Sequence, residues 1–208
     1  MRHVFGPVNS RRLGRSLGID IVPFKLCSLN CVYCECGSTT ALTSSVREYV
    51  SAEDVCGEID AVLSGSPELD VITFSGSGEP TLNSAIGDII NHLKTNYPQY
   101  KIAVLTNATL MNNDAVRKRI LRADMIYPSL DAVSEDVFAA IMKPAPGINP
   151  ADIIEGLVKL RGEYSGTICL EVFIVPGCND SDRELKLLAG AAFRINPDEV
   201  HLNRLDRP

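Results

Sequence analysis

The stretch KIAVLTNATLMNNDAVRKRILRADMIYPSLDA, residues 101–132, holds one complete unit of the pattern that decides the fold. It begins with a short apolar run at 101–106, continues with amphipathic spacing at 112–123, and ends with a second apolar run at 124–130. Short continuous apolar runs are typical of strands buried on both faces, and a helix between two such strands is the usual connection in a parallel sheet. The stretch therefore predicts a strand, a helix and a second, parallel strand.

The same alternation continues on both sides of this stretch. The other predicted strands lie at 17–24, 70–75, 167–175 and 199–203, and the other predicted helices at 51–65, 83–97, 134–142, 149–164 and 180–195. About six strand–helix units joined by right-handed crossovers predict an α/β fold of the (β/α)₆ partial TIM barrel type. A doubly wound open sheet is the alternative.

The two ends of the chain bear on how this barrel is closed. Because the sequence stops just after the sixth predicted strand, we expect the last outer helix to be missing. We expect that edge to be open, to be covered by the N-terminal segment, or to be buried by a partner protein. The N-terminal segment, residues 1–16, is basic and contains Arg2, Arg11, Arg12 and Arg15. These arginines are either solvated or bind a small anionic group of a substrate.

Size and composition are those of one globular domain, expected to span residues 1–208 with the partial barrel at 17–208. Hydrophobic residues make up 45% of the chain and charged residues 22%, which are ordinary globular values. The net charge of -6 argues against a broad nucleic-acid-binding surface. No apolar run approaches membrane-spanning length, and the N-terminus lacks the apolar core of a signal peptide. We therefore expect a cytoplasmic protein without a membrane partner.

The cysteine-rich stretch CSLNCVYCECG, residues 27–37, predicts a metal centre. Seven cysteines, an odd number without a secretory signal, indicate reduced thiols. The spacing of Cys27, Cys31 and Cys34 lets three sulfurs converge on one small object. Plain packing, a structural zinc site and an iron–sulfur cluster compete as interpretations. Zinc usually takes two separated Cys-x₂-Cys pairs, and a second pair is absent, whereas three thiolates on a [4Fe–4S] cluster leave one iron open for chemistry. The spacing favours the cluster, and Cys36 is expected to pack.

The segment CSLNCVYC resembles the hallmark of the radical S-adenosylmethionine (SAM) superfamily, with Tyr33 as its aromatic residue. The longer run FGPVNSRRLGRSLGIDIVPFKLCSLNCVYC, residues 5–34, resembles a subgroup of iron–sulfur oxidoreductases that is grouped with the wyosine-tRNA synthetases. The resemblance implies that Cys27, Cys31 and Cys34 hold a [4Fe–4S] cluster whose fourth iron binds SAM. The reduced cluster would cleave SAM to methionine and a 5′-deoxyadenosyl radical, which would abstract hydrogen from an unidentified substrate.

Two loops that follow predicted strands are implied to bind SAM. In SGSGEPT, residues 75–81, the backbone near Gly78 would receive the SAM ammonium group, and Glu79 would support that turn or the ammonium. In LTNATL, residues 105–110, Asn107 matches a family motif of the form Thr-Asn-Gly. From its residue type alone, Asn107 is equally a turn former or a helix cap. This chain carries Ala108 where the family often has glycine.

The loops after the later strands complete the predicted rim. Ser129 and Asp131 lie two residues apart on one face of a strand and suit the ribose hydroxyls of SAM, or they cap the next helix. The segment LNRLDRP, residues 202–208, resembles the family region that lines the adenine. Cys178 lies at the same rim, but we expect it to pack, as we do Cys56 and Cys169.

Several functions fit these residues. The leading hypothesis is a radical SAM enzyme that acts on a small molecule or a modified nucleotide and receives electrons from a flavodoxin-like or ferredoxin-like donor. A glycyl-radical-enzyme activase and a wyosine-like tRNA base-modifying enzyme are alternatives within the superfamily. Wyosine synthetases usually carry a second cluster on upstream cysteines, and no cysteine precedes Cys27 here. A non-catalytic zinc or iron–sulfur scaffold is the alternative outside the superfamily.

Overall fold

A computed structural model describes residues 2–204 and forms a curved, mostly parallel sheet surrounded by helices. Its seven strands have the order β1-β2-β5-β6-β7-β8-β9, and all neighbours after the first pair are parallel. The strands are β1 (Val4–Ser10), β2 (Gly14–Ile19), β5 (Val71–Phe74), β6 (Lys101–Thr106), β7 (Met125–Pro128), β8 (Thr167–Ile174) and β9 (Glu199–Arg204). A separate two-stranded sheet pairs β3 (Leu26–Cys27) with β4 (Ala41–Leu42). The six parallel strands confirm the predicted (β/α)₆ partial barrel.

The helices lie between successive parallel strands, as the sequence pattern predicts. They are α1 (Ala52–Leu63), α2 (Ile86–Asn96), α3 (Asp114–Ile120), α4 (Glu135–Met142), α5 (Pro150–Glu163) and α6 (Asp182–Ile195). The start of α1 is fixed by Ser51, whose side chain accepts a hydrogen bond from the backbone N–H of Asp54. Helix α3 is shorter than the predicted 112–123 because Asn113 caps its start and the helix ends before Leu121.

The start of the chain differs from the prediction. The first parallel strand, β2, begins at Gly14 and ends at Ile19, so the predicted bounds of 17–24 are wrong. The preceding residues form β1, which pairs antiparallel with β2 through a tight turn at 10–14. The segment VFGPVNS gives little sign of a strand, because Gly6 and Pro7 interrupt it and most of its residues are exposed.

The two edges of the sheet are covered differently. Strand β1 covers the side of β2 that no parallel strand occupies. On the far side, β9 has its outward-facing Val200 and Leu202 exposed, and no helix follows it within residues 2–204. Between the β1–β2 turn and β9, Arg12 forms an ion pair with Glu171 of β8. The N-terminal segment therefore contacts the open side of the barrel, one of the three arrangements expected from the sequence.

The core lies between the sheet and its helices. Its fully buried side chains include Phe74 on β5, Val104 on β6, Ile126 on β7 and Leu157 on α5. Burial of apolar surface stabilises a fold by roughly 25 cal/mol per Å². This packing holds the ends of the strands in place, and therefore also the loops that follow them. No helix within residues 2–204 combines the length and apolar character needed to cross a membrane.

Helix α5 provides a test of this packing, because its two glycines sit in opposite environments. A Cβ at Gly156 would lie 2.3 Å from the backbone N of Asn112, whereas a Cβ at Gly162 would meet nothing within 4 Å. We expect Gly156→Ala to lower the free energy of unfolding by roughly 1–3 kcal/mol, since the backbone in the way cannot rotate aside. Gly162→Ala should raise it by up to about 1 kcal/mol, the helix-propensity gain. Urea denaturation of both variants measures the two changes, and equal effects would contradict this packing.

Candidate functional site

A cavity of about 280 Å³ opens at the carboxyl ends of the parallel strands. All nine residues singled out from the sequence line it, namely Cys27, Cys31, Tyr33, Cys34, Gly78, Glu79, Asn107, Ser129 and Asp131. The other lining residues are Ser75, Gly76, Leu105, Thr106, Met142, Glu171, Phe173 and Asn203. We call this space the site cavity. Because carboxyl ends of parallel strands share one rim, residues more than a hundred positions apart in the chain meet here.

The cysteine loop, residues 28–40, is held against the C-terminal end of α4 by backbone hydrogen bonds. The N–H of Asn30 donates to the carbonyl of Met142 at 2.9 Å, and the N–H of Val32 donates to the carbonyl of Ile141 at 2.9 Å. The N–H of Ala145 in turn donates to the carbonyl of Ser28 at 2.9 Å. At the far end of the loop, the N–H of Thr40 donates to the carbonyl of Lys25 at 3.2 Å, so both ends are held without any cross-link between cysteines, all of which are free thiols.

Cys27, at the end of β3, and Cys31 and Cys34, in the cysteine loop, are partly buried. Desolvation raises the pKa of the Cys27 thiol to about 11 and that of the Cys31 thiol to about 12. Beside Cys34, the Lys25 ammonium donates a hydrogen bond to the sulfur at 3.0 Å. A metal centre bound here would displace the thiol protons, and the Lys25 cation would offset part of the resulting negative charge.

The remaining cysteines do not line the site cavity. Cys36 is exposed, with its sulfur 3.8 Å from the carbonyl oxygen of Gly76, so the expectation that it packs is wrong. Cys178 is also exposed, on the loop after β8, and Cys56 is only partly buried. Cys169 is buried, as expected.

The glycine-rich loop after β5 lies very close to β3, the short strand that ends at Cys27. A Cβ at Gly78 would lie 2.1 Å from the carbonyl oxygen of Leu26, so only glycine fits there. The next residue, Glu79, donates its N–H to the same carbonyl at 3.1 Å. On the other side of the loop, Ser77 donates its N–H and its hydroxyl to Asp20 at 2.9 and 2.8 Å. These contacts place the loop backbone directly beside Cys27.

Glu79 is a fully buried carboxylate that joins two rim loops. It accepts hydrogen bonds from the Thr81 hydroxyl at 2.6 Å, the Thr106 hydroxyl at 2.7 Å and the Asn107 N–H at 2.7 Å. Burial nevertheless raises the pKa of Glu79, since these donors are neutral. In this structure Glu79 supports the turn, one of its two expected roles.

Asn107 forms a turn and contacts the end of β3. Its side-chain oxygen accepts from the Thr109 N–H at 3.1 Å, and its side-chain nitrogen lies 3.4 Å from the Cys27 sulfur and 2.9 Å from the Ser28 hydroxyl oxygen. The next residue, Ala108, has φ of 61°, in the left-handed region that favours glycine. That conformation gives a physical reason for the glycine that the family motif often carries at this position.

Asp131 and Tyr33 form a buried polar pair on the far wall of the site cavity. The Tyr33 hydroxyl donates to Asp131, and the Phe173 N–H donates to the same carboxylate at 2.6 Å. Burial raises the pKa of Asp131 to about 6 and raises the pKa of Tyr33. The Tyr33 and Phe173 rings stack, with centroids 4.3 Å apart. Neither Asp131 nor Ser129 caps α4, whose N-terminal cap is Ser134.

Comparison with known proteins identifies the family. The family model described as the Radical SAM superfamily matches residues 21–189. The chain belongs to the radical SAM superfamily. The resemblance stated from the sequence is confirmed, and so are the cofactors of the family, a [4Fe–4S] cluster and SAM. The three partly buried thiols around one cavity fit the cluster, because iron–sulfur centres take cysteine thiolates.

Curated relatives of this radical SAM chain extend the family assignment. It is 38% identical over 208 residues to a UPF0026 protein of Synechocystis sp., covering 99% of this chain and 76% of that protein. It is 39% identical over 203 residues to a Brachyspira hyodysenteriae protein named GTPase Obg, covering 97% of this chain and 29% of that protein. The chain therefore belongs with the UPF0026 proteins and spans 29% of the length of the Brachyspira relative.

Solved structures share the fold at low sequence identity. The structure of TYW1 with a lysine-pyruvate adduct bound matches with a TM-score of 0.70 and 20% identity, covering 93% of this chain and 65% of that chain. Streptococcus suis SuiB bound to S-adenosylmethionine matches with a TM-score of 0.67 and 14% identity, covering 92% of this chain and 41% of that chain. These likenesses establish the partial barrel.

Several residues of this radical SAM site escaped the sequence analysis. Lys25 reaches Cys34 only because its φ of 57° turns the chain, and nothing in the sequence marks that conformation. Met142 and Asn203 enter the cavity from the ends of α4 and β9. Glu171 could have been found, because a carboxylate inside the otherwise apolar run TICLEVFIV must face a polar interior.

A second cavity, of about 650 Å³, lies on the open side of the barrel between the β1–β2 turn and β9. We call it the lateral cavity, and it is lined by Ser10, Arg11, Arg12, Glu35, Glu171, Phe173, Leu202, Asn203 and Arg204. Of the four N-terminal arginines, Arg11 and Arg12 line it, whereas Arg2 lies in another surface cavity beside Asp20. Of the predicted adenine segment 202–208, residues 205–208 lie outside the described residues.

The close approach at Gly78 generates a prediction about SAM binding. Gly78→Ala should push the loop after β5 away from Leu26, break the Glu79 N–H bond and weaken SAM binding at least tenfold, or about 1.4 kcal/mol. Gly57→Ala is the matched control, since a Cβ there meets nothing within 4 Å. Equilibrium dialysis of labelled SAM against the cluster-loaded variants measures the affinities. Equal affinity in the two variants would contradict the assigned role of this loop.

Proposed function

We propose that this chain is a radical SAM enzyme in which Cys27, Cys31 and Cys34 hold a [4Fe–4S] cluster. The observation that carries the proposal is the convergence of these thiols with the strand-end loops around one site cavity. When bound and reduced, the cluster supplies the electron that cleaves SAM to methionine and a 5′-deoxyadenosyl radical, which abstracts a hydrogen atom from substrate. The electron comes from an external flavodoxin-like or ferredoxin-like donor.

Different residues around the site cavity bind different groups of SAM. The loop backbone near Gly78 receives the SAM ammonium group, since it lies beside Cys27 and is fixed by Glu79 below it. Ser129 and Asp131, which follow β7 and line the site cavity, face the ribose. Asp131 also aligns Tyr33, whose ring stacks on Phe173 and forms an apolar wall. Such walls exclude water and keep a reactive radical from side reactions.

The substrate is proposed to be a small molecule or modified nucleotide that enters through the lateral cavity. This cavity shares Glu171, Phe173 and Asn203 with the site cavity, so a molecule bound there reaches the atoms of the reaction. Its volume of about 650 Å³ is within the usual range for small-molecule sites. Three arginines, Arg11, Arg12 and Arg204, line it against the two carboxylates of Glu35 and Glu171, and this excess of positive charge favours a substrate with an anionic group.

The cluster assignment is tested by anaerobic reconstitution with iron and sulfide. We expect about four irons per chain and, after dithionite and SAM are added, formation of 5′-deoxyadenosine. Alanine at Cys27, Cys31 or Cys34 should abolish both. Cys36→Ala is the matched control and should retain them, because its thiol is exposed outside the site cavity. Loss of iron in Cys36→Ala would contradict the ligand set, and bound zinc without sulfide would favour a non-catalytic scaffold.

The contact between Lys25 and Cys34 makes a separate prediction about the cluster. Lys25→Gln keeps a hydrogen-bond donor but removes a positive charge 3.0 Å from the sulfur. Since that charge favours the added electron, the variant should keep its iron but show a more negative reduction potential. Lys118→Gln, an exposed lysine on α3 that pairs with Asp114, is the control and should leave the potential unchanged. Redox titration followed by electron paramagnetic resonance measures both, and identical potentials would refute the role given to Lys25.

A further inference from the structure

A cluster of three metal-binding side chains lies on the inward face of the last two strands. The ligand atoms of Cys169, Glu199 and His201 all lie within 4.8 Å of one another. The Cys169 sulfur is 3.9 Å from a carboxylate oxygen of Glu199, and that oxygen is 2.6 Å from Nε2 of His201. None of the three lines the site cavity.

The strand register produces this cluster without help from any loop. Cys169 on β8 pairs directly with Glu199 on β9 in the parallel ladder, and Glu171 pairs with His201. Adjacent strands are about 4.8 Å apart, and residues two apart on a strand share a face. The thiol, the carboxylate and the imidazole therefore converge by backbone geometry alone, on the rigid part of the fold.

We propose that Cys169, Glu199 and His201 form a Zn²⁺ site that is distinct from the iron–sulfur site. Zinc binds thiolate, imidazole and carboxylate ligands at about 2.0–2.3 Å, which in a tetrahedron sets the ligand atoms roughly 3.3–3.5 Å apart. The separations of 3.9 and 2.6 Å reach that range with shifts of less than about 1 Å. Binding releases the thiol proton to solvent and leaves a fourth coordination position open.

The ligand types favour zinc over the hard cations Mg²⁺ and Ca²⁺. Mg²⁺ and Ca²⁺ prefer oxygen ligands throughout, so a thiol and an imidazole disfavour them. Glu199 pairs with His201 at 2.6 Å, so the imidazole already lies against the carboxylate. The Tyr127 ring packs beside His201, with centroids 6.2 Å apart, and forms one wall of the site.

The position of the site suggests what the metal does. Cys169 lies two residues before Glu171, so it is roughly 7 Å along β8 from the wall of the site cavity. Strand β9 is an edge strand whose outward face is exposed at Leu202. Zinc between β8 and β9 cross-links that edge. It thereby holds Asn203, two residues beyond His201, in the rim where it lines both cavities.

The test is metal analysis of the cluster-loaded full chain, dialysed against buffered Zn²⁺. We expect about four irons and one zinc per chain by mass spectrometry. His201→Gln and Glu199→Gln should keep the iron and bind zinc at least tenfold more weakly. Because iron retention reports folding and the first metal site, a loss confined to zinc is assigned to these side chains.

The role of the thiol is read out with Co²⁺ in place of zinc. Cobalt bound to Cys169 should give a thiolate-to-metal charge-transfer band in the near ultraviolet. Cys169→Ser should lose this band, whereas Cys56→Ser, a partly buried cysteine on α1, should keep it. The proposal is overturned if zinc binds all variants equally, if no zinc binds, or if zinc enters only as iron leaves. The last outcome would place zinc at Cys27, Cys31 and Cys34, whereas the first two leave the iron content, and with it the cluster assignment, unchanged.

Discussion

The buried carboxylate of Glu79 is the interaction on which the rim of this protein depends. It accepts hydrogen bonds from its own loop and from the loop after β6, including the N–H of Asn107 at 2.7 Å. Asn107 in turn reaches Cys27 and Ser28, so the first three rim loops form one connected network. A buried carboxylate is costly unless its acceptor sites are filled, and the same cost keeps the loops that fill them in place. The network holds the backbone near Gly78 and the first cysteine in a fixed relation.

On the opposite wall of the site cavity, the buried carboxylate of Asp131 likewise joins separate segments of the chain. Its carboxylate holds the Tyr33 hydroxyl from the cysteine loop and the Phe173 N–H from β8, while its backbone carbonyl accepts from the Asn179 side chain at 2.7 Å. The cysteine loop is thus tied to β6 at one end and to β8 in its middle. Three thiols can be presented to one metal centre because the chain on either side of them is already ordered, which lowers the entropy cost of assembling the ligand set.

The sequence predicted the parts of the fold that periodicity determines. Strand β6 has the predicted bounds, 101–106, because its short continuous apolar run ends at a polar turn. Strand β1 was missed, since its residues are mostly exposed and Gly6 and Pro7 interrupt it. In the same way, the nine site residues could be found from spacing and family motifs, whereas Lys25 could not. Its contact with Cys34 depends on a left-handed backbone conformation that no local sequence pattern predicts.

Strand β8 shows how one open-sided barrel can carry several kinds of chemistry. Its inward residues alternate with apolar ones, so Cys169, Glu171 and Phe173 lie in a row from the inner end of the barrel to the rim. Glu171, in the middle, joins Arg12 of the N-terminal turn to Asn203 of β9, at 3.4 Å from the Asn203 side chain. Among residues 2–204 the barrel has six parallel strands, and the Arg12–Glu171 ion pair joins the N-terminal turn to β8 across its open side. The Arg12–Glu171 pair and the proposed zinc ligands around Cys169 lie on that open side, which is also where we propose that the substrate enters.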